Sequence, residues 1–124
     1  MRAVVHCDLV AAARYLLPLP ELARRSACRR LISSTHAADR YRRRTGRAHQ
    51  LWGDGSLNSA ARKHPLAQEP GLWCSDYCAC LEMVLHELGR WRLSRQPEAQ
   101  GRHNVIDGSN SSRFTAISSP QSAQ

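Results

Sequence analysis

The chain has 124 residues, with 18 Lys or Arg against 10 Asp or Glu and a formal charge of +8. That length supports one small domain with a single modest core, and it leaves no room for a deep substrate cavity. Five cysteines, an odd number, argue against a disulfide framework. The apolar run at the start is broken by His6, Cys7, Asp8 and Arg14, which excludes a secretory core or a membrane span. A reducing cytoplasm is the expected setting. Residues 1–30 are Arg-rich and acid-poor, as an organelle presequence would be, but they read better as the first helix and a half of a fold. Alanine is abundant and β-branched residues are scarce, so the expected fold is all-α. Three main helices and one short one should pack as a small bundle over residues 1–94. From about Arg95 the composition turns to Ser, Gln and Asn, and residues 95–124 are expected to be a disordered polar tail.

The first helix is expected over residues 4–17. Asp8 would cap it, and Leu9, Ala12, Ala13, Leu16 and Leu17 would share one face. Pro18 ends it, because the residue before a proline is pushed out of the helical region. Pro20 and Glu21 suit the first turn of the next helix. That helix should run to Thr45, with Gly46 in the left-handed position after it. At about 100° per residue, Ala23, Ala27, Leu31, Thr35, Ala38 and Tyr41 form an inward stripe. Arg25, Arg29, His36, Arg40 and Arg43 form the opposite one. Arg24 and Arg42 fall near the inward side and would have to snorkel. Ser33, Ser34 and Thr35 form a weak-propensity patch where a bend would fall.

Residues 46–55 read as a loop, with Gly53-Asp54-Gly55 as turn chemistry. Ser56 should cap a short helix reaching about Lys63, and His64-Pro65 should stop it. The last helix starts at Ser75, with Asp76 near its positive end, and continues to about Arg92 or Ser94. Its core face carries Tyr77, Leu81, Val84, Leu88 and Trp91, with Leu85 beside them.

No enzymatic motif survives a test of spacing. Cys74, Cys78 and Cys80 have gaps of three and one, not the paired turns of structural zinc. Cys78 and Cys80 would point about 200° apart on a helix. The row Cys78, Glu82, His86 lies at the edge of the core face and runs out to solvent. His86-Glu87 is followed at position 90 by Arg90, which breaks the zinc-protease pattern. Gly53-Asp54-Gly55 lacks the Lys of a phosphate loop and the further carboxylates of a calcium loop. His49 and Asp54 could pair as a base and its orienter, but no nucleophile stands at a telling spacing. No catalytic residue, cofactor or metal ligand is therefore expected.

The basic residues carry the functional signal. Nine of the eighteen cations lie between Arg24 and Arg47, with Asp39 inside that span and Glu21 beside it. A field so concentrated attracts phosphates or an acidic protein face. Arg25, Arg29, Arg40, Arg43, Arg44 and Arg47 would bind such a partner, with His49 and Trp52 of the adjoining loop available to stack. A solvated helix face is the plain alternative. The ten-residue loop between the basic helix and the next argues against a helix–turn–helix.

Asp39 to His49, then Leu51-Trp52-Gly53-Asp54-Gly55-Ser56-Leu57, then Asp76-Tyr77-Cys78-Ala79-Cys80-Leu81 together resemble a family of short, mainly alphaproteobacterial proteins described only as a domain of unknown function. The resemblance covers roughly residues 1–93. The family pattern often has a proline where this chain has Gln50. What the resemblance implies is a bacterial cytoplasmic helical domain, with no activity attached. The expected role is a non-enzymatic binding or adaptor module for nucleic acid or an acidic protein. The alternative is a small thiol- or metal-dependent protein using Cys74, Cys78 and Cys80.

Overall fold

Four α-helices and no strand are found among residues 1–95, the part of the chain described by the computed structural model. The expectation of a polar tail falls on residues 96–124, outside the described residues. Met1–Arg90 forms one compact unit. The described part of the second unit finishes the last helix, where the Arg95 guanidinium lies 5.5 Å from the centre of the Trp91 ring.

The first helix, α1, spans His6–Leu16. It starts two residues later than expected, and Val5, not Asp8, stands at its N-cap. Asp8 acts from within the first turn: one carboxylate oxygen accepts the Val5 N–H at 2.8 Å. The other accepts the Asn58 N–H at 2.8 Å, so a single buried side chain satisfies orphan donors at the starts of two helices. Ala11, Ala12, Ala13 and Leu16 bury the small-residue face that lets α1 sit close to its neighbours.

The long helix α2 spans Glu21–Thr45, 25 residues and about 37 Å. Ala27, Cys28, Leu31, Ile32, Thr35 and Ala38 form its buried face, broader than the expected stripe by Cys28 and Ile32. The helix passes unbroken through Ser33–Thr35. Thr35 is fully buried, and its hydroxyl donates to the Leu31 carbonyl at 2.8 Å, which removes its need for another partner. Gly46 follows with φ 74°, and its N–H donates to the Arg42 carbonyl at 2.7 Å. Arg24 does not snorkel. It is only 7% exposed and donates to the Leu17 and Leu19 carbonyls at 2.9 and 3.2 Å, stitching the proline turn closed. It also grips Asp76 through both carboxylate oxygens, at 2.7 and 3.1 Å, and holds that carboxyl below its usual range.

The short helix α3 spans Leu57–Ala61 and packs against α1 and α2. Five residues cannot hold a helix by propensity alone. The Ser56 hydroxyl accepts the Ser59 N–H at 3.2 Å, and Leu57, Ala60 and Ala61 are buried. The crossing after it is pinned to α1 by a reciprocal pair: the Ala67 N–H donates to the Arg14 carbonyl at 3.1 Å, and Arg14 Nε donates to the Ala67 carbonyl at 2.7 Å.

The last helix, α4, spans Ser75–Ser94. Tyr77, Cys80, Val84, Glu87 and Leu88 are its buried residues. The core face is therefore rotated from the expected one: Leu81 is half-buried, and Leu85 is 56% exposed. The rotation brings Glu87 inward to meet Arg25 and Arg29 of α2. Among the described residues no helix is long and apolar enough to cross a membrane.

Candidate anion-binding face and cleft

The loop between α2 and α3 is built almost entirely from its own hydrogen bonds. The Thr45 hydroxyl donates to the Tyr41 carbonyl at 2.8 Å and accepts the Arg47 N–H at 3.2 Å, so the chain turns sharply at Gly46. His49 and Gly53 then pair through both backbone groups, at 2.7 and 3.0 Å. The Nδ1 lone pair of His49 accepts two further N–H groups, from Leu51 at 3.1 Å and from Trp52 at 3.2 Å. The Trp52 indole lies flat on the His49 ring, 4.3 Å between centres and 8° between planes. Tyr41 meets the same imidazole edge-on at 5.0 Å. Three rings and a closed five-residue turn thus form one rigid knob at the end of α2. Trp52 both pins the loop and remains 39% exposed.

The far side of the loop is set by Asp54. Its Oδ1 accepts the Ser56 N–H at 3.0 Å, the Ser56 hydroxyl at 2.8 Å and the Ser59 hydroxyl at 2.8 Å. Arg2 lies 3.3 Å from Oδ2. Burial pushes this carboxyl up, but the Ser56 hydroxyl and backbone, the Ser59 hydroxyl and the Arg2 charge together outweigh it and lower it to about 2. Asp54 is therefore a structural anion. The base-and-orienter pair suggested by the sequence is not formed: Nδ1 of His49 is taken by two backbone N–H groups, and Asp54 faces the α3 cap.

The expected arginine stripe divides into two groups. Arg25 and Arg29 donate to the two oxygens of Glu87, each at 2.8 Å. Glu87 is 3% exposed, and burial pushes its carboxyl up. The Arg29 hydrogen bond and the charges of Arg29, Arg25 and Arg90 prevail and hold it lower than usual. These two cations offset a buried charge, a role that wheel geometry alone does not reveal. His36, placed on the same stripe, is half-buried, with Nδ1 at 3.0 Å from the Met1 amine. That amine also pairs with buried Asp39 at 3.0 Å, as does Arg43 at 3.2 Å. Arg40, Arg44 and Arg47 are exposed, and their side chains have no acidic partner among the described residues. Arg42, expected to lean inward, is exposed with them.

On one side of the Trp52 loop lies a shallow hollow of about 410 Å³ between Tyr41, Arg47 and His49. On the other side lies a cleft of about 400 Å³ that the sequence does not point to. It is bordered by Tyr15 of α1, Arg30 and Ser34 of α2, Gln50 and Trp52 of the loop, and Lys63 and His64 after α3. The Tyr15 and His64 rings meet at a tilt, 4.6 Å between centres and 34° between planes. Arg30 and Lys63 are exposed, without an ion pair or side-chain hydrogen bond among the described residues. Among the described residues, none that lines the cleft carries a carboxylate. Arg30 lies off the wheel stripe, and Lys63-His64 reads as the end of a short helix, so only the packing of α1, α2 and α3 brings these groups together.

The cysteines lie apart from this region. Burial pushes the Cys28 thiol up to about 12, and it raises Cys80 as well. The Cys78 thiol donates to the Leu72 carbonyl at 3.1 Å. Among the described residues no group of three or more His, Cys, Asp or Glu side chains is placed to hold a metal ion.

The fold and this face define a small all-α domain with a cation-rich corner. The chain belongs to the family described as domain of unknown function (DUF7742), which it matches over residues 2–88. The match spans α1, α2, the Trp52 loop, α3 and α4 to Leu88. No curated protein and no solved structure matches it.

Proposed function

We propose that this domain is a non-enzymatic binding or adaptor module. It holds an anionic partner, nucleic acid or an acidic protein, on the end of α2 and the adjoining loop. The observation that carries the reading is the group Arg40, Arg44 and Arg47. They are exposed at the end of α2 and the start of the loop that carries His49 and Trp52, with no carboxylate of their own among the described residues. Cations without an internal partner keep their field for something outside the fold. Arg43 adds to the field while it braces Asp39. Arg25 and Arg29, committed to Glu87, serve the fold first. The odd number of cysteines fits a reducing cytoplasm, and we place the module there. The cysteine-based alternative is not favoured: Cys80 is buried and the Cys78 thiol is turned to a backbone carbonyl.

Retention on heparin and on DNA resin at rising salt tests the reading. The parent protein should bind at low salt and elute at moderate salt, because each phosphate contact releases a counterion. Arg40→Glu, Arg44→Glu and Arg47→Glu together should abolish retention. Arg43 is left alone in that variant because a Glu there would face Asp39. Unchanged retention would refute the proposal. Pull-down from native cells with and without nuclease separates nucleic acid from an acidic protein.

A further inference from the structure

We infer that the cleft between α1, α2, the Trp52 loop and α3 is a binding site for a nucleotide unit, a planar base carrying a phosphate. The inference goes beyond the anion-binding reading above: it concerns a separate cleft, bordered by other cations. Three independent features of the cleft converge on it. The first is charge. Arg30 and Lys63 border the cleft without internal partners among the described residues, and no carboxylate lines it. Two such cations at one mouth suit a phosphate, which offers two non-bridging oxygens as a diester and three as a monoester. The second is aromatic surface. Trp52 borders one side, with one face of its ring covered by His49 and the residue still 39% exposed, and the tilted Tyr15–His64 pair borders the cleft as well. A base has a π-face that such rings accept whatever its identity. The third is size. A volume of about 400 Å³ is in the range of sites that enclose one small ligand, roughly 300–1,000 Å³. It has room for one nucleotide, and a base stacked and paired in a duplex does not present its face to such a cleft. Ser34 and Gln50 supply the donors and acceptors that would meet a base edge.

The nucleotide has two possible sources, a free mononucleotide or one unit of a single strand. Both present a base and a negatively charged phosphate to the cleft, and the test separates them. Trp73→Phe and Trp91→Phe leave Trp52 as the one indole, so its emission reports the cleft. The full chain carrying these changes is titrated with adenosine 5′-monophosphate, with a ten-nucleotide single-stranded oligoadenylate, with the matching duplex, and with inorganic phosphate. The expected result is quenching by the single strand that weakens about tenfold or more in Arg30→Glu/Lys63→Glu, with no response to the duplex. Quenching by the monophosphate at similar concentration identifies a free nucleotide as the source. Quenching by the strand alone identifies single-stranded nucleic acid. Both Arg30 and Lys63 are exposed, and circular dichroism and the melting temperature establish that the variant folds. Trp52→Phe, which keeps a ring against His49, gives a second variant read by calorimetry; it should bind several-fold more weakly. Three outcomes overturn the inference: no quenching by either nucleotide form, equal affinity in the Arg30/Lys63 variant, or a full response to inorganic phosphate alone. In each of them heparin retention still reports separately on the α2 end. The Arg40/Arg44/Arg47 variant should keep its response to the monophosphate, which distinguishes the cleft from the broader basic face.

Discussion

Gly46 and Gly55 both take a positive φ, 74° and 100°, but for different reasons. A Cβ at Gly46 would meet nothing within 4 Å, so the position needs only the left-handed conformation. A Cβ at Gly55 would lie 2.9 Å from the Asp39 Cα, against backbone that cannot swing away. Gly46→Ala should therefore cost about 1 kcal/mol, and Gly55→Ala about 2 kcal/mol or more, as read from urea midpoints. Equal losses would refute this account of the loop. Asp54 has a pH signature of its own. Its folded carboxyl titrates at about 2, below the ordinary 3.8. Its stabilisation is thus complete above pH 4 and is lost as the pH falls toward 2. The side chain is 40% exposed, so solvent screening reduces the effect to about 1 kcal/mol. Asp54→Asn should narrow the stability difference between pH 6 and pH 2.5, and an unchanged difference would count against the hydrogen bonds assigned here.

At the scale of elements, α2 and α4 are joined by charge at two levels, Arg24 with Asp76 and the Arg25–Glu87–Arg29 cluster. Removing one arginine of the cluster leaves the other to hold the buried carboxylate. Removing both strands a charge away from water, so Arg25→Ala/Arg29→Ala should cost about 3 kcal/mol, more than the sum of the singles. Adding Glu87→Gln should recover much of that loss, because the unpaired charge is gone. A denaturation series on the five proteins checks both statements. The same cluster marks how far the sequence could be read. Helix number, the Gly46 stop and the Ser56 cap are legible, because each is fixed by residues within four positions. The facing of α4 is not. Leu81 and Leu85 look like core on a wheel, yet Glu87 turns inward because two arginines of another helix await it. Asp8 is legible as a capping residue but not in its place. Its second oxygen serves Asn58, 50 residues away, which draws it into the first turn.

For the molecule as a whole, the charge of +8 is not spread evenly in its consequences. Arg24, Arg25 and Arg29 are held by Asp76 and Glu87, and Arg43 is held by Asp39. Among the described residues Arg40, Arg44 and Arg47 remain outward at the end of α2 and the start of the loop, Arg30 and Lys63 border the cleft, and Arg42, Arg62, Arg90 and Arg92 are exposed as well. The cleft itself was illegible in the sequence because Tyr15, Arg30, Trp52 and Lys63 come from four separate segments, and none stands in a motif with another. The closed turn from His49 to Gly53 has a consequence for how a partner arrives. Its backbone pairs and ring stack are already made within the fold, so capture of the proposed partner should cost little chain entropy in this loop. On the proposed function, the rate of encounter would be set by diffusion and the attraction of the arginines, and the lifetime of the complex by what settles against Trp52.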